Sequence, residues 1–443
     1  MKTKIVPTKT NDTIVLRGGK ALKGEVIVRG AKNSISKIMV AALLTDAPCV
    51  LNNVADIEDV HVVSAMIKAL GGAVSFDAKK GTVKIAAKRL KTIPPEALHK
   101  IAGKSRIPIL FAGPLLHRLR EALVPELGGC NIGTRPVNFH LKALEQLGAS
   151  IKDVPDGYYM TAGRLTGTKV NLEYPSVGAT EQVLLAAVLA DGKTELTNAA
   201  IEPEIMDLIA VLQKMGAIIS VDTDRAITVI GVKKLGGFVH TAMTDRIEVA
   251  SWACAAFVTN GKIFVKNAHQ QEMMTFLNKY RQVGGMFNVR EDGIEFWRGS
   301  ELKTIALETD VHPGFMTDWQ QPFSVVLTLL PGASIVHETV YENRFGYVDA
   351  LNQMGAHVQL FKDCLGGRPC RFGKQNHMHS AVVTGPSKLH GAEITIPNLR
   401  AGFSYIIAAL AADGESILHN IGLIRRGYEN FEAKLKKLGA KIG

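Results

Sequence analysis

The chain has 443 residues, enough for two or three domains, and its 47% apolar and 21% charged composition without low-complexity tracts excludes a fibrous or disordered protein. The net charge of +11 favours anionic partners, but the basic residues are scattered and aromatics make up only 6%, so the charge reads as a field for small anions and not as a nucleic-acid track. The longest apolar runs, such as 183–190, are far too short to span a bilayer. The first ten residues lack the apolar core of a secretory signal, and five scattered cysteines fit free thiols in a reducing cytoplasm.

In chain order, residues 13–28 read as two strands about a Lys/Leu/Gly-rich turn. Gly30-Ala-Lys-Asn33 then leads into a helix of small apolar residues at 38–44, and similar helices follow at 182–189, 250–257 and 405–411. These are apolar on nearly all faces and should be buried. Several run into a turn such as Ala190-Asp-Gly192, then a strand, then a second helix ending in Leu/Met/Val-Gly-Gly/Ala. That ending occurs six times, with Gly71, Gly148, Gly216, Gly284, Gly355 and Gly439 spaced 68 to 84 residues apart. A glycine there stops a helix in a left-handed cap.

Six matched sets argue for a repeated unit over two unrelated α/β domains. The sixth unit stops just after Leu438-Gly-Ala440, and residues 13–28 look like its missing strand pair. The expected fold class is α/β, with six repeated units, three per domain, around buried helices. One domain covers 31–243; the other covers 244–443 and is completed by residues 1–30. A cleft between them is the expected ligand site. The fifth unit is lengthened at 363–379. Cys364, Cys370, His377 and His379 lie there, but neither the C-x5-C nor the H-x-H spacing matches a usual zinc pattern. The segment reads as a surface loop, with no metal expected.

Chemically capable residues recur where the chain enters a helix. They include Lys32-Asn33, Lys104-Ser-Arg106, Pro175-Ser-Val-Gly178, Asp245-Arg246, Thr317-Asp318, Leu399-Arg400 and Arg425-Arg426. Equivalent positions of a repeat share one face, and helix N-termini there add positive potential. Taken singly, each Lys or Arg reads first as a surface charge, and Asp318 or Asp245 as a helix cap. The densest stretch is Glu126-Leu-Gly-Gly-Cys-Asn-Ile-Gly-Thr-Arg-Pro136. Its glycines let backbone approach a ligand, Cys130 can donate a proton or attack carbon, and Arg135 offers a fork for phosphate or carboxylate. On pattern alone it is either such a site or an exposed turn.

Several motifs together resemble the UDP-N-acetylglucosamine 1-carboxyvinyltransferases, a family of enolpyruvyl transferases. They are Gly30-Ala-Lys-Asn33, the 128–136 loop, Ser176-Val-Gly-Ala-Thr180, His312-Pro-Gly-Phe-Met-Thr-Asp318, Glu338-Thr-Val-Tyr-Glu-Asn-Arg-Phe345 and Arg426-Gly-Tyr428. They follow the family's order over nearly the whole chain. The resemblance implies a two-domain inside-out α/β barrel. It also implies transfer of enolpyruvyl from phosphoenolpyruvate to UDP-N-acetylglucosamine, without cofactor or metal.

By that resemblance Cys130 is the proton donor and the target of the epoxide fosfomycin, and Asp318 accepts the sugar hydroxyl proton. Lys32, Arg135 and Arg426 hold the phosphate, and Arg400 lies near the carboxylate. The nucleotide sugar is assigned to Asn33, Arg106, Arg135, Pro136, Val137, Asn138, Phe139, Tyr174, Pro175, Ser176, Val177, Gly178 and Val340, with Arg344 lining the cleft. The chain departs from the family at Asp56 and Glu58, at Asn138 and Tyr174, and at Asn398 and Arg425, positions that bear on the acceptor more than on the transfer. Other readings are a paralogue with a different acceptor, the related shikimate-pathway enzyme, and a non-catalytic anion- or nucleic-acid-binding protein.

Overall fold

All six glycines that end Leu/Met/Val-Gly helices adopt φ between 92° and 101°, the left-handed region where an added Cβ is strained. At the end of helix Pro203–Lys214 the Gly216 N–H donates to Gln213 O and the Ala217 N–H to Leu212 O, both at 2.9 Å. The paired bonds satisfy carbonyls that the helix itself leaves open, and they recur at Gly71–Gly72 and Gly439–Ala440. The structure, a computed structural model, describes residues 12–102, 105–125, 137–368 and 370–443.

The fold is mixed α/β. Among the described residues there are six small sheets, five of four strands and one of three. The four-stranded sheets share one plan, seen at Lys193–Thr197. This strand pairs antiparallel with Ile227–Ile230, which turns back on Ile218–Val221, and it pairs parallel with the edge strand Lys169–Asn171.

The N-terminal strands differ from expectation. Thr13–Arg17 does join the last sheet, antiparallel to Glu415–His419 and beside Lys441–Ile442. Lys23–Ile27 does not; it pairs parallel with Lys262–Lys266 and supplies the edge of a different sheet. Val239–Thr241 does the same for Cys49–Asn52. The period-two pattern of a strand is identical whether the chain turns back or crosses over, so sequence could not separate the two.

The described chain divides into two compact units, one of residues 12–28 with 246–443 and one within 29–245. Each has its own apolar core. In the first, helices Arg246–Val258, Thr317–Leu327 and Leu399–Ala411 pack against one another. Every residue of Arg246–Val258 is buried, so its polar groups need internal partners. Trp252 Nε1 donates to Glu248 Oε1 at 2.9 Å, and Lys434 Nζ pairs with the same oxygen at 2.6 Å. In the second unit, Ala112–Leu119 packs on Val177–Ala187, and Lys32–Ala41 packs on Pro203–Lys214. No helix of the described residues is long and apolar enough to cross a membrane.

Candidate active site

The helix starts carry the polar residues that the sequence singled out. Lys32 opens Lys32–Ala41, Asn138 opens Asn138–Gln146, and Ser176 caps Val177–Ala187 by accepting from Ala179 N at 3.3 Å. In the other unit Asp318 and Arg400 are the second residues of Thr317–Leu327 and Leu399–Ala411. Unpaired N–H groups and the helix dipole make such termini favourable for anions.

In the 29–245 unit, Lys32 Nζ lies 2.5 Å from Asp59 Oδ2, and its backbone N–H donates to Asp245 Oδ2 at 3.3 Å. Asp59 is buried, so this ion pair is shielded from water on the carboxylate side and fixes where the ammonium points. Asn33 follows on the same turn, and its carbonyl accepts from Lys37 Nζ at 2.7 Å. Lys37 also faces Glu181 at 3.6 Å; burial pushes that carboxyl up to about 7, against the pull of Lys37.

A second cluster in this unit gathers Arg106 and residues 137–140 and 174–178. Tyr174 O accepts from Ser176 N at 2.6 Å, so the Tyr174-Pro175-Ser176 turn presents the start of helix Val177–Ala187. Helix Asn138–Gln146 packs against that helix, with Val137 as its N-cap, Asn138 exposed and Phe139 half-buried. Beneath Gly178 lies the imidazole of His140; a Cβ on Gly178 would sit 2.9 Å from His140 Cε1 and Nε2. His140 is buried, and its pKa is pushed down to about 4, first by desolvation and then by the charge of Arg106. The ring is therefore neutral near pH 7.

In the other unit Asp318 is clasped by two arginines. Arg344 Nη2 lies 2.5 Å from Asp318 Oδ1, and Arg400 Nε lies 3.5 Å from Oδ2. Both arginines are buried, at 2% and 6% exposure, whereas Asp318 is half-open. Arg400 also rests 5.4 Å from the centre of the Tyr428 ring, which stacks on Phe403 at 4.1 Å and shares a hydrogen bond with Ser251 at 3.0 Å. The aromatic platform holds the guanidinium in one orientation. Arg426 caps the short helix Gly422–Arg425, two residues before that tyrosine, and is half-buried.

Glu338 organises the same region. Its carboxylate accepts from Val340 N at 2.7 Å, Tyr341 N at 2.9 Å, Thr317 Oγ1 at 2.9 Å and Gln320 Nε2 at 3.1 Å. It thereby fixes Val340 and the segment leading to Arg344 against the helix that starts at Thr317-Asp318. Burial raises its pKa, opposed by the nearby Arg344.

The chain is similar to known proteins along nearly its whole length. The family described as EPSP synthase (3-phosphoshikimate 1-carboxyvinyltransferase) matches residues 16–435. The chain belongs to the enolpyruvyl transferase family. The UDP-N-acetylglucosamine 1-carboxyvinyltransferase of Protochlamydia amoebophila (strain UWE25) is 50% identical over 97% of this chain and 94% of its own length, and that of Chlamydia pneumoniae 48% over 95% and 92%. Among solved structures, the enolpyruvyl transferase NikO from Streptomyces tendae shares the fold with a TM-score of 0.85 at 23% identity, covering 97% of this chain and 98% of its own. As an enolpyruvyl transferase family member the chain is an enzyme, a transferase.

Against that family frame, the structure unites Asp318, Arg344 and Arg400 in one cluster, with Val340 tied to it through Glu338. It sets Gly178 against His140 and packs the helix that carries Phe139 on the helix capped by Ser176. Cys130, Arg135 and Pro136 lie outside the described residues. Several departures have local explanations. Asn398 caps the Arg400 helix by accepting from Ala401 N at 3.1 Å, Arg425 pairs with Glu432 at 2.8 Å, and Asp56 pairs with His61 at 2.7 Å. Sequence reasoning gave no role to Asp59 or His140, and it met Glu338 only as the first residue of a motif. The signal for Glu338 was a carboxylate directly after the apolar strand Gly332–His337, where a charge is buried only with partners. For Asp59 no local signal existed, since an acid in the first turn of a helix is common without any site.

Proposed function

We propose that this chain transfers the enolpyruvyl group of phosphoenolpyruvate to the 3-hydroxyl of UDP-N-acetylglucosamine and releases phosphate, the first committed step of peptidoglycan synthesis. The observation that carries this reading is the Asp318 carboxylate, held at a helix start between buried Arg344 and Arg400. It stands in a chain whose relatives of 48–50% identity bear that enzyme's name.

In this reading the sugar hydroxyl oxygen adds to C2 of the enol, its proton passes to Asp318, and Cys130 delivers a proton to the methylene carbon. Phosphate leaves when the new methyl group gives up a proton, which restores the vinyl ether. Lys32, Arg135 and Arg426 hold the phosphate and Arg400 the carboxylate, so charge is stabilised where it develops. Asn33, Arg106, Pro136, Val137, Asn138, Phe139, Tyr174, Pro175, Ser176, Val177, Gly178 and Val340 bind the nucleotide sugar, and Arg344 positions Asp318. The architecture is read as an inside-out α/β barrel of six units, three in 31–243 and three in 1–30 with 244–443; the two cores and the shared sheet plan support it. A cytoplasmic setting accords with the free thiols of Cys49, Cys254, Cys364 and Cys370.

Phosphate release tests the reading. Release is expected with phosphoenolpyruvate plus UDP-N-acetylglucosamine. Release with shikimate 3-phosphate or another hydroxyl acceptor instead would replace the acceptor, and silence with every acceptor would defeat the reading.

A further inference from the structure

The lengthened segment at 363–379 folds back on strand Gly332–His337, and the two bring together a set of donors that the transfer reaction does not use. One candidate donor atom from each of His337, Cys364, Cys370 and His379 lies within 4.8 Å of the others. Cys364 Sγ and His379 Nε2 are 3.3 Å apart. Tetrahedral zinc with bonds of ~2.0–2.3 Å places its ligand atoms roughly 3.3–3.8 Å from one another, so closure needs movements of about 1 Å at most. We propose that His337, Cys364, Cys370 and His379 form a tetrahedral binding site for a divalent cation of the zinc class, which pins the 363–379 segment to strand Gly332–His337.

Both histidines present the correct nitrogen. His379 Nδ1 lies 2.9 Å from His377 O. A carbonyl can only accept, so Nδ1 carries the proton and Nε2 offers its lone pair toward Cys364. His337 Nδ1 donates to Glu308 Oε2 at 3.4 Å, which leaves its Nε2 as the free lone pair. His337 is completely buried, and among the described residues that Nε2 has no hydrogen-bond partner. A buried acceptor left unsatisfied costs about 1–3 kcal/mol, and a cation at this point would satisfy it.

The surroundings are built for the same purpose. Glu308 also accepts from Gly367 N at 3.0 Å and Arg368 N at 2.9 Å, so one carboxylate orients His337 and anchors the segment. Carboxylate–histidine–metal chains of this kind fix the tautomer and the ring. A Cβ on Gly366 would overlap His337 Nδ1 and Glu308, so only glycine lets the segment pass that close. Cys364 is exposed, which gives a cation its way in. Two thiols, two imidazoles and, among the described residues, no fifth donor in the cluster make a closed, structural site. Binding would displace one proton from each thiol, two in all.

The sequence spacing gave no reason to expect a metal at Cys364, Cys370, His377 and His379; the fold sets His337 beside Cys364, Cys370 and His379, which no spacing within the segment could reveal. Because His337 directly precedes Glu338, and Arg371 of the segment donates to Val340 O, the cation would also brace the region around Asp318 from behind.

The test uses the full chain, purified under reducing conditions without chelator. Elemental analysis is expected to find one zinc per chain, and Co(II) replacement to give the visible bands of a tetrahedral site with thiolate charge transfer. Both signals should fall at least tenfold in Cys364→Ser and Cys370→Ser and persist in Cys130→Ser. Should a cysteine variant fail to fold, Glu308→Gln serves instead, with zinc affinity expected to drop about 10–100-fold. A parent chain with no zinc and no cobalt–thiolate band, or bands unchanged in the Cys364→Ser/Cys370→Ser double variant, would overturn the proposal. So would a Cys364–Cys370 disulfide that, once reduced, still takes up no zinc.

Discussion

Arg344 Nη2 binds two acceptors at once, Asp318 Oδ1 at 2.5 Å and the backbone carbonyl of Thr317 at 3.1 Å. One buried guanidinium thus fixes both the side chain and the backbone at the start of the helix. Arg344→Ala should cost about 3–5 kcal/mol of stability, the usual range for breaking a buried pair. Urea unfolding measures this. Arg344→Lys keeps the charge but loses the fork, so phosphate release should slow about 10²-fold, with a smaller loss of stability. An Arg344→Lys enzyme of full activity would show that Asp318 needs no such support.

Glu338 accepts from four donors while buried. In Glu338→Gln one oxygen becomes an amide that faces donors. The expected loss is about 1–3 kcal/mol with a raised KM for the nucleotide sugar, since Val340 is released. Steady-state kinetics together with urea midpoints check both parts.

His140 gives a pH dependence with a definite sign. Its pKa is pushed down to about 4 from the ordinary 6.5, so below pH 6.5 the unfolded chain takes up a proton that the native chain refuses. Stability from this group is complete above pH 6.5 and is lost as pH falls toward 4, by about 3 kcal/mol in all. Unfolding free energies of the parent and His140→Gln should converge across that window. Parallel curves would mean that the imidazole is not kept neutral by burial.

Asp59 holds the Lys32 ammonium from its buried side. In Asp59→Asn the charge partner is lost but the shape is kept. KM for phosphoenolpyruvate is expected to rise about tenfold with a smaller change in KM for the nucleotide sugar. Equal changes in both would assign Asp59 to general stability and not to Lys32.

The helix ends were legible because their marks are local. A Gly at the end of a helix has one conformational reason to be there, and all six adopt it. Helices of small apolar residues likewise had to be buried, as Arg246–Val258 and Leu399–Ala411 are. Asp318 and Arg400 were singled out at helix starts and Arg344 within a motif, and the three do meet. What could not be read depended on contacts between distant stretches. The crossing of Lys23–Ile27 to Lys262–Lys266 leaves no mark in either strand. His337 lies 27 positions before Cys364, in a strand with its own reason to exist. Asp59 and His140 look ordinary until Lys32 and Gly178 are placed beside them.

The pairing of Thr13–Arg17 with Glu415–His419 has a consequence for biosynthesis. On the ribosome the first of these strands emerges some 400 residues before the second. At ~5–20 residues per second that interval is roughly 20–80 s. Throughout it, Ile14 and Leu16, both buried in the finished protein, belong to a strand whose partner does not yet exist. The unit of residues 29–245 can close while the chain is still growing, but the other cannot. Nascent chains should therefore engage chaperones through their first strand and let go only near termination.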